Sequence, residues 1–137
     1  MQDNKITVRA LVGANREKAW DYYTLPEHIT QWNFADASWH CPHADSDLRV
    51  GGRYLARMEA RDGSMGFDFE ATFTEVVPTE KFTYVFGGRY ASVVFEPLGE
   101  QTAVTVTFDP ETEHSHELQQ SGWQAILNNY KQYTETH

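Results

Sequence analysis

The sequence predicts an α+β fold in which a curved antiparallel sheet grips one long C-terminal helix. Three observations predict it. Apolar residues recur at every second position in six separate runs, the mark of half-buried strands. Glycine, proline and acidic turn signals divide those runs, as in a meander. Only after residue 117 does the period change to three and four, so a single helix is long enough to cover the apolar face of the sheet.

The first run spans Lys5 to Val12, with Ile6, Val8, Ala10 and Val12 on one side and Thr7 and Arg9 on the other. Gly13 ends it, and Asn15 offers an N-cap to a short helix over Arg16 to Tyr23, whose Ala19, Trp20 and Tyr23 share a face. Pro26 opens a second short helix over Glu27 to Trp32. Periodicity then disappears between Asn33 and Asp47, which predicts a loop carrying Trp39-His40-Cys41-Pro42-His43. Gly51-Gly52 marks a strand start or bulge before the alternation of Tyr54, Ala56 and Met58. Asp62-Gly63 signals a hairpin into a strand with Phe67, Phe69, Ala71 and Phe73 on one face and Asp68, Glu70, Thr72 and Thr74 on the other. After the turn Pro78-Thr79-Glu80 come Phe82/Tyr84/Phe86, Ala91/Val93/Phe95 and Val104/Val106/Phe108, divided by Gly87-Gly88 and Leu98-Gly99-Glu100. Leu118, Gly122, Trp123, Ile126, Leu127 and Tyr130 form the stripe of the terminal helix. Glu111, Glu113 and Glu117 precede or open it, and Lys131 lies near its other end, matching the helix dipole.

Composition narrows the function. The 137 residues are expected to form one domain, residues 1–137. Hydrophobic residues at 40% and aromatic ones at 14% supply a packed interior and exclude disorder as the reading of the chain. Twenty acidic against 11 basic side chains leave a net charge of −9, which repels phosphate backbones and anionic lipid. Neither nucleic acid nor a membrane is expected as a partner. Cys41 is the single cysteine, so no intrachain disulfide forms. The start Met1-Gln2-Asp3-Asn4-Lys5 lacks the apolar core of a signal peptide, and no long apolar run follows, so a soluble, cytoplasmic protein is expected.

No phosphate-binding glycine loop, nucleophile elbow or H-E-x-x-H motif is present. The weaker candidates each have a plainer explanation. His40 and His43, with Asp45 or Asp47, contain zinc-like ligand types, yet they fit a polar loop bent by Pro42. His114 and His116 read as loop residues before the last helix. Asp68 and Glu70 project to one side as an acid and base pair would, but strand parity turns them to water. Cys41 beside His40 reads as an unactivated thiol, since neighbours in sequence need not meet in space. Trp20 and Trp123 read as core. Trp32 and Trp39 flank the irregular stretch, where an aromatic more often walls or covers a pocket. No catalytic residue, metal or cofactor is assigned.

Asp47-Leu48-Arg49-Val50-Gly51-Gly52-Arg53-Tyr54 resembles the "dlRvGG.f" signature of the SRPBCC superfamily, in the branch named for the C-terminal domain of the activator of the heat-shock-protein-90 ATPase. Trp20, Pro26-Glu27 and Trp32 resemble that branch's "vW…t.pe.i..W" segment, Phe69 to Pro78 its "f.G…ev.p" strand, and Gly122-Trp123 its "GW" pair. The likeness runs from about residue 5 to 135. It implies a helix-grip fold, β-α-α-β6-α, with a hydrophobic cavity between sheet and helix. Ala71 departs from the usual glycine, adding a methyl group to the inner side of the strand. The co-chaperones that name the branch carry a further N-terminal domain for which 137 residues leave no room, so a chaperone-activating role is not expected.

The expected function is therefore the binding of a small hydrophobic or aromatic ligand. The residues expected to hold it are Arg53, Tyr54, Met58, Phe69, Phe82, Tyr84, Phe95, Trp123 and Leu127, with Trp32 and Trp39 at the entrance. Arg53, Arg57, Tyr54 and Tyr84 are the candidates for orienting polar contacts. Two alternatives stand beside it. A cyclase, aromatase or hydrolase would need Asp68, Glu70 or a histidine inside the pocket. An interaction or co-chaperone-like domain would dock a partner helix or a second copy as a homodimer.

Overall fold

The structure is a computed structural model and describes residues 5–137. Its element order is β1 (Ile6–Val12), α1 (Arg16–Thr24), α2 (Pro26–Trp32), β2 (Trp39–Ser46), β3 (Arg53–Ala60), β4 (Gly66–Val77), β5 (Lys81–Phe86), β6 (Arg89–Leu98), β7 (Gln101–Phe108) and α3 (His116–Thr136). The fold is α+β, β-α-α-β6-α, as expected. One seven-stranded antiparallel sheet, ordered β1-β7-β6-β5-β4-β3-β2, curls into a half-barrel against α3.

Strict alternation builds most of the sheet. β1 buries Ile6, Val8, Ala10 and Val12 and exposes every residue between them. Asn15 caps α1, its side chain accepting from the Lys18 N–H at 2.8 Å. Pro26 occupies the first turn of α2, where a missing N–H costs nothing. The Trp32 indole donates to the Tyr22 carbonyl at 2.9 Å, locking the two short helices together across one end of the half-barrel.

The stretch from Asn33 to Asp47, expected to be a loop, contains β2 instead. This strand pairs with β3 from Trp39↔Ala60 to Ser46↔Tyr54, but the register shifts between His40 and His43. Cys41 and Pro42 bulge out of the ladder, which erases the period-2 signal, and an edge strand tolerates the proline that an inner one would not. His116 is a second correction. It begins α3, because Ser115 caps the helix by accepting from the Leu118 N–H at 3.1 Å.

Gly51-Gly52 has a specific physical task. Gly51 adopts φ +85°, and a Cβ on Gly52 would lie 1.9 Å from the Asp47 carbonyl oxygen. This tight turn lets the Gly51 N–H donate to the Phe73 carbonyl and Gly52 accept from Phe73, at 2.8 and 2.9 Å, fastening the β2–β3 connection onto β4.

α3 is tied down along its length. The Tyr130 hydroxyl donates to the Ala19 carbonyl inside the core. Gln120 and Gln124 donate to the Thr7 and Arg9 carbonyls of edge strand β1, both at 3.1 Å, and Glu135 accepts from the Gly13 N–H at 2.7 Å. No described helix is long and apolar enough to cross a membrane.

Candidate functional site

The trough between sheet and helix has a filled end and a hollow end. At the filled end α1 lies over β6 and β7, and α2 packs against β2. Trp20 packs edge-on against Phe82 and Phe95, ring centroids 6.0 and 5.2 Å apart, and Phe73 meets Phe82 at 5.6 Å. Such edge-to-face packing leaves no room for a guest.

Toward the other end the strands diverge from the short helices and only α3 remains above them. Along the inner face of β4 exposure rises from 2% at Phe73 and 4% at Ala71 to 51% at Phe67. A cavity of about 320 Å³ opens there. Tyr23, Trp32, Asn33, Tyr54 and Tyr84 form its floor, next to the filled end. Met58, Phe69, Val106, Ile126 and Leu127 form its walls, and Phe67, Phe86, Arg89, Glu111, Gln119 and Trp123 surround its mouth.

Seven residues singled out in the sequence meet at this cavity: Trp32, Tyr54, Met58, Phe69, Tyr84, Trp123 and Leu127. Four do not. Phe82 and Phe95 face the same trough but sit in its filled end, each 2% exposed. Arg53 points to solvent and pairs with Glu70 at 3.1 Å. Trp39 stands on β2 at 6.0 Å from the Phe67 ring, beyond the mouth and not in its lining. Arg57 is likewise outside, bonded to Glu59 at 2.9 Å and Asp68 at 3.4 Å. Ala71 is buried opposite Tyr54 and does not touch the cavity.

The polar groups of the site fall into two classes. Those at the mouth already have partners, and so does Asn33 beside Trp32, whose side chain bonds the Cys41 thiol. Gln119 accepts from the Glu111 N–H at 2.8 Å and donates to the Glu111 and His114 carbonyls, pinning the loop before α3. Glu111 in turn bonds His114, and this partner holds its carboxyl below the usual range while raising the His114 imidazole. Arg89 stacks on Phe86 at 4.8 Å and donates to the Asp109 carbonyl. On the floor, by contrast, the hydroxyls of Tyr23, Tyr54 and Tyr84 have no hydrogen-bond partner among the described residues. Burial pushes all three phenols well above their ordinary pKa, and Tyr23 and Tyr54 are raised further by Tyr84 nearby.

The remaining chemical candidates lie elsewhere. His43 faces Asp45 at 3.0 Å and His40 faces Glu59 at 3.8 Å, all on the outside of the sheet. Among the described residues no group of three or more histidine, cysteine or acidic side chains is arranged to hold a metal. Burial pushes the Cys41 thiol up to about 11, the opposite of an activated thiolate. Asp68 and Glu70 are exposed on the outer face, as parity requires. Sequence reasoning left out of the site Tyr23, Phe67, Phe86, Val106 and Ile126, which the inward periodicity does mark, and Asn33, Arg89, Glu111 and Gln119, which only the folded topology brings to it.

Comparison with known proteins agrees with this architecture. The pattern of the family described as "Activator of Hsp90 ATPase homolog 1-like protein" matches residues 13–135. The chain is similar to the solution structure of the AHSA1-like protein from Aeromonas hydrophila, at 41% identity over 96% of this chain and 92% of that one, with a TM-score of 0.91. It is also similar to the solution structure of Chr148 from Cytophaga hutchinsonii, at 46% identity over 98% and 94%, TM-score 0.84. A protein of unknown function from Staphylococcus aureus shares the fold alone, at 16% identity over 96% and 93%, TM-score 0.78. No curated protein matches the chain.

Proposed function

The chain belongs to the family of activator of Hsp90 ATPase homolog 1-like proteins, and from that premise we propose that it binds a small, largely apolar molecule in the cavity between sheet and α3. The observation that carries this reading is the hollow itself. About 320 Å³ lined mainly by aromatic and aliphatic side chains is within the range of small-molecule sites, and a core with no guest to admit would gain by closing it. The enzymatic alternative finds less support. Asp68, Glu70, His40 and His43 lie outside, and the one carboxylate at the mouth, Glu111, is held by His114 and by backbone N–H groups.

Native mass spectrometry of freshly purified protein tests the proposal by seeking a co-purifying small molecule, and it counts subunits in the same spectrum. A panel of hydrophobic compounds is then screened for a rise in melting temperature. A bound adduct or a stabilising compound is expected. Absence of both would remove the reading.

A further inference from the structure

Of the seven tyrosines, the three on the cavity floor differ from the rest in one respect. Outside the cavity, Tyr130 donates to the Ala19 carbonyl, Tyr22 to the His137 carbonyl at 3.2 Å, Tyr133 bonds His28 at 2.8 Å, and Tyr90 is 46% exposed to water. Tyr23, Tyr54 and Tyr84 have neither a described protein partner nor a place on the outer surface. Nor are their oxygens sealed: the single described side-chain oxygen that is both sealed and unpartnered is Ser46 Oγ, beside Tyr54 on the adjoining strand. The three hydroxyls therefore open onto the cavity. Buried polar groups are normally satisfied, so three unsatisfied ones from three different elements, α1, β3 and β5, mark a place where something else supplies the bonds.

Resting on the reading of this cavity as a ligand site, we propose that its ligand is an uncharged molecule whose carbonyl-type oxygen is received on the floor by the hydroxyls of Tyr23, Tyr54 and Tyr84. The hydrogen-bond inventory argues for an acceptor. A carbonyl oxygen has two lone pairs and no proton, so it takes two of the phenol donors and leaves the third to water or to a further acceptor on the ligand. The upward shift of all three phenols keeps them protonated, hence donors, throughout the physiological range. Charge argues for neutrality. No basic side chain lines the floor, and Arg89, the one cation in the lining, is at the mouth and already engaged. An anion on the floor would lose its water without gaining a counter-ion. The Tyr54 and Tyr84 rings, 5.3 Å apart, and the Phe69 ring at 5.9 Å from each, leave the rest of the ligand an apolar, aromatic surround.

Three bicyclic probes of similar shape test this: 1-tetralone, its hydrocarbon counterpart tetralin, and 1-naphthoate. Dissociation constants come from amide chemical-shift titration of the intact chain and of the double variant Tyr54→Phe/Tyr84→Phe. That variant removes no described protein hydrogen bond, and its melting temperature verifies that it folds. The expected result is 1-tetralone binding about tenfold or more tightly than tetralin, a ratio that falls to about one or below in the double variant while tetralin is unaffected. If tetralin binds as tightly as 1-tetralone to the unmodified chain, the proposed ligand class is overturned and the ligand-site reading survives. Tightest binding by 1-naphthoate overturns neutrality in the same way. If none of the three perturbs residues of the cavity, the ligand-site reading falls and the proposal with it.

Discussion

The two ends of the trough are made of the same material and behave differently. Both draw on the inward residues of the same strands. β5 contributes Phe82 to the filled end and Phe86 to the hollow one, and β4 contributes Phe73 and Phe67. What differs is the cover. Over Phe82 and Phe95 lie Trp20 and Tyr23 of α1, while Phe86 meets only Trp123 from the first half of α3 and Phe67 is half open. One helix, about 10 Å across, does not span a curved sheet of seven strands. Stability therefore resides where two layers of aromatic rings interlock, and room for a guest resides where the second layer is missing.

Truncation of aromatic residues sharpens this contrast most. Phe82→Ala or Phe95→Ala leaves a void in a filled region and should cost about 3–5 kcal/mol in urea unfolding, whereas Phe67→Ala should cost less than about 1 kcal/mol. Equal costs would erase the distinction between the ends. Next in size is the protection of Cys41. A thiol raised from 9.0 to about 11 should react with iodoacetamide at pH 8 about a hundredfold more slowly than a free thiol, and unfolding in urea should restore the rate. Fast labelling of the native chain would mean that β2 opens readily.

A hydroxyl deletion compares the ends at finer scale. Tyr130→Phe removes a buried bond to the Ala19 carbonyl and should destabilise by about 1–2 kcal/mol, while Tyr84→Phe should leave thermal stability nearly unchanged. The smallest effect concerns the mouth. Glu111 is lowered from 4.5 and His114 raised from 6.5 by their mutual bond. The Glu111 contribution is present above its unfolded value and fades as pH falls through the lowered folded one. That of His114 is full below its unfolded value and fades as pH rises through the raised folded one. Amide shifts of residues 111–114 should accordingly report an ordered loop that loosens only once pH has fallen below 4.5, through the lowered Glu111 value, or risen above 6.5, through the raised His114 value, and His114→Ala should abolish the alkaline limb. A flat pH profile would separate the mouth from this ion pair.

The sheet was legible because its strands alternate with few interruptions, and the interruption that hid β2 is a local one, two residues bulging at Cys41-Pro42. The apolar stripe of α3 gives way to polar residues after Tyr130, yet the helix runs on to Thr136 with Thr134 buried. In the site, alternation identifies the inward rings but does not reveal which of them are covered, so Phe82 and Phe95 look like Tyr84 in the sequence. Arg53 is different: it precedes inward Tyr54, and the same alternation turns it outward. Arg89, Glu111 and Gln119 come from a strand start, a loop and a helix turn, and chain topology alone brings them together.

The two outermost strands carry a consequence for behaviour in a crowded solution. A sheet margin with unpaired amides is a template on which foreign strands can grow into fibres. Here β2 ends the sheet on one side with Pro42 and a kink, and on the other the carbonyls of Thr7 and Arg9 in β1 are occupied by glutamine side chains from α3. The helix that roofs the trough thus also keeps one margin from polymerising. Loosening its N-terminal turns would expose both the cavity and a template for self-association.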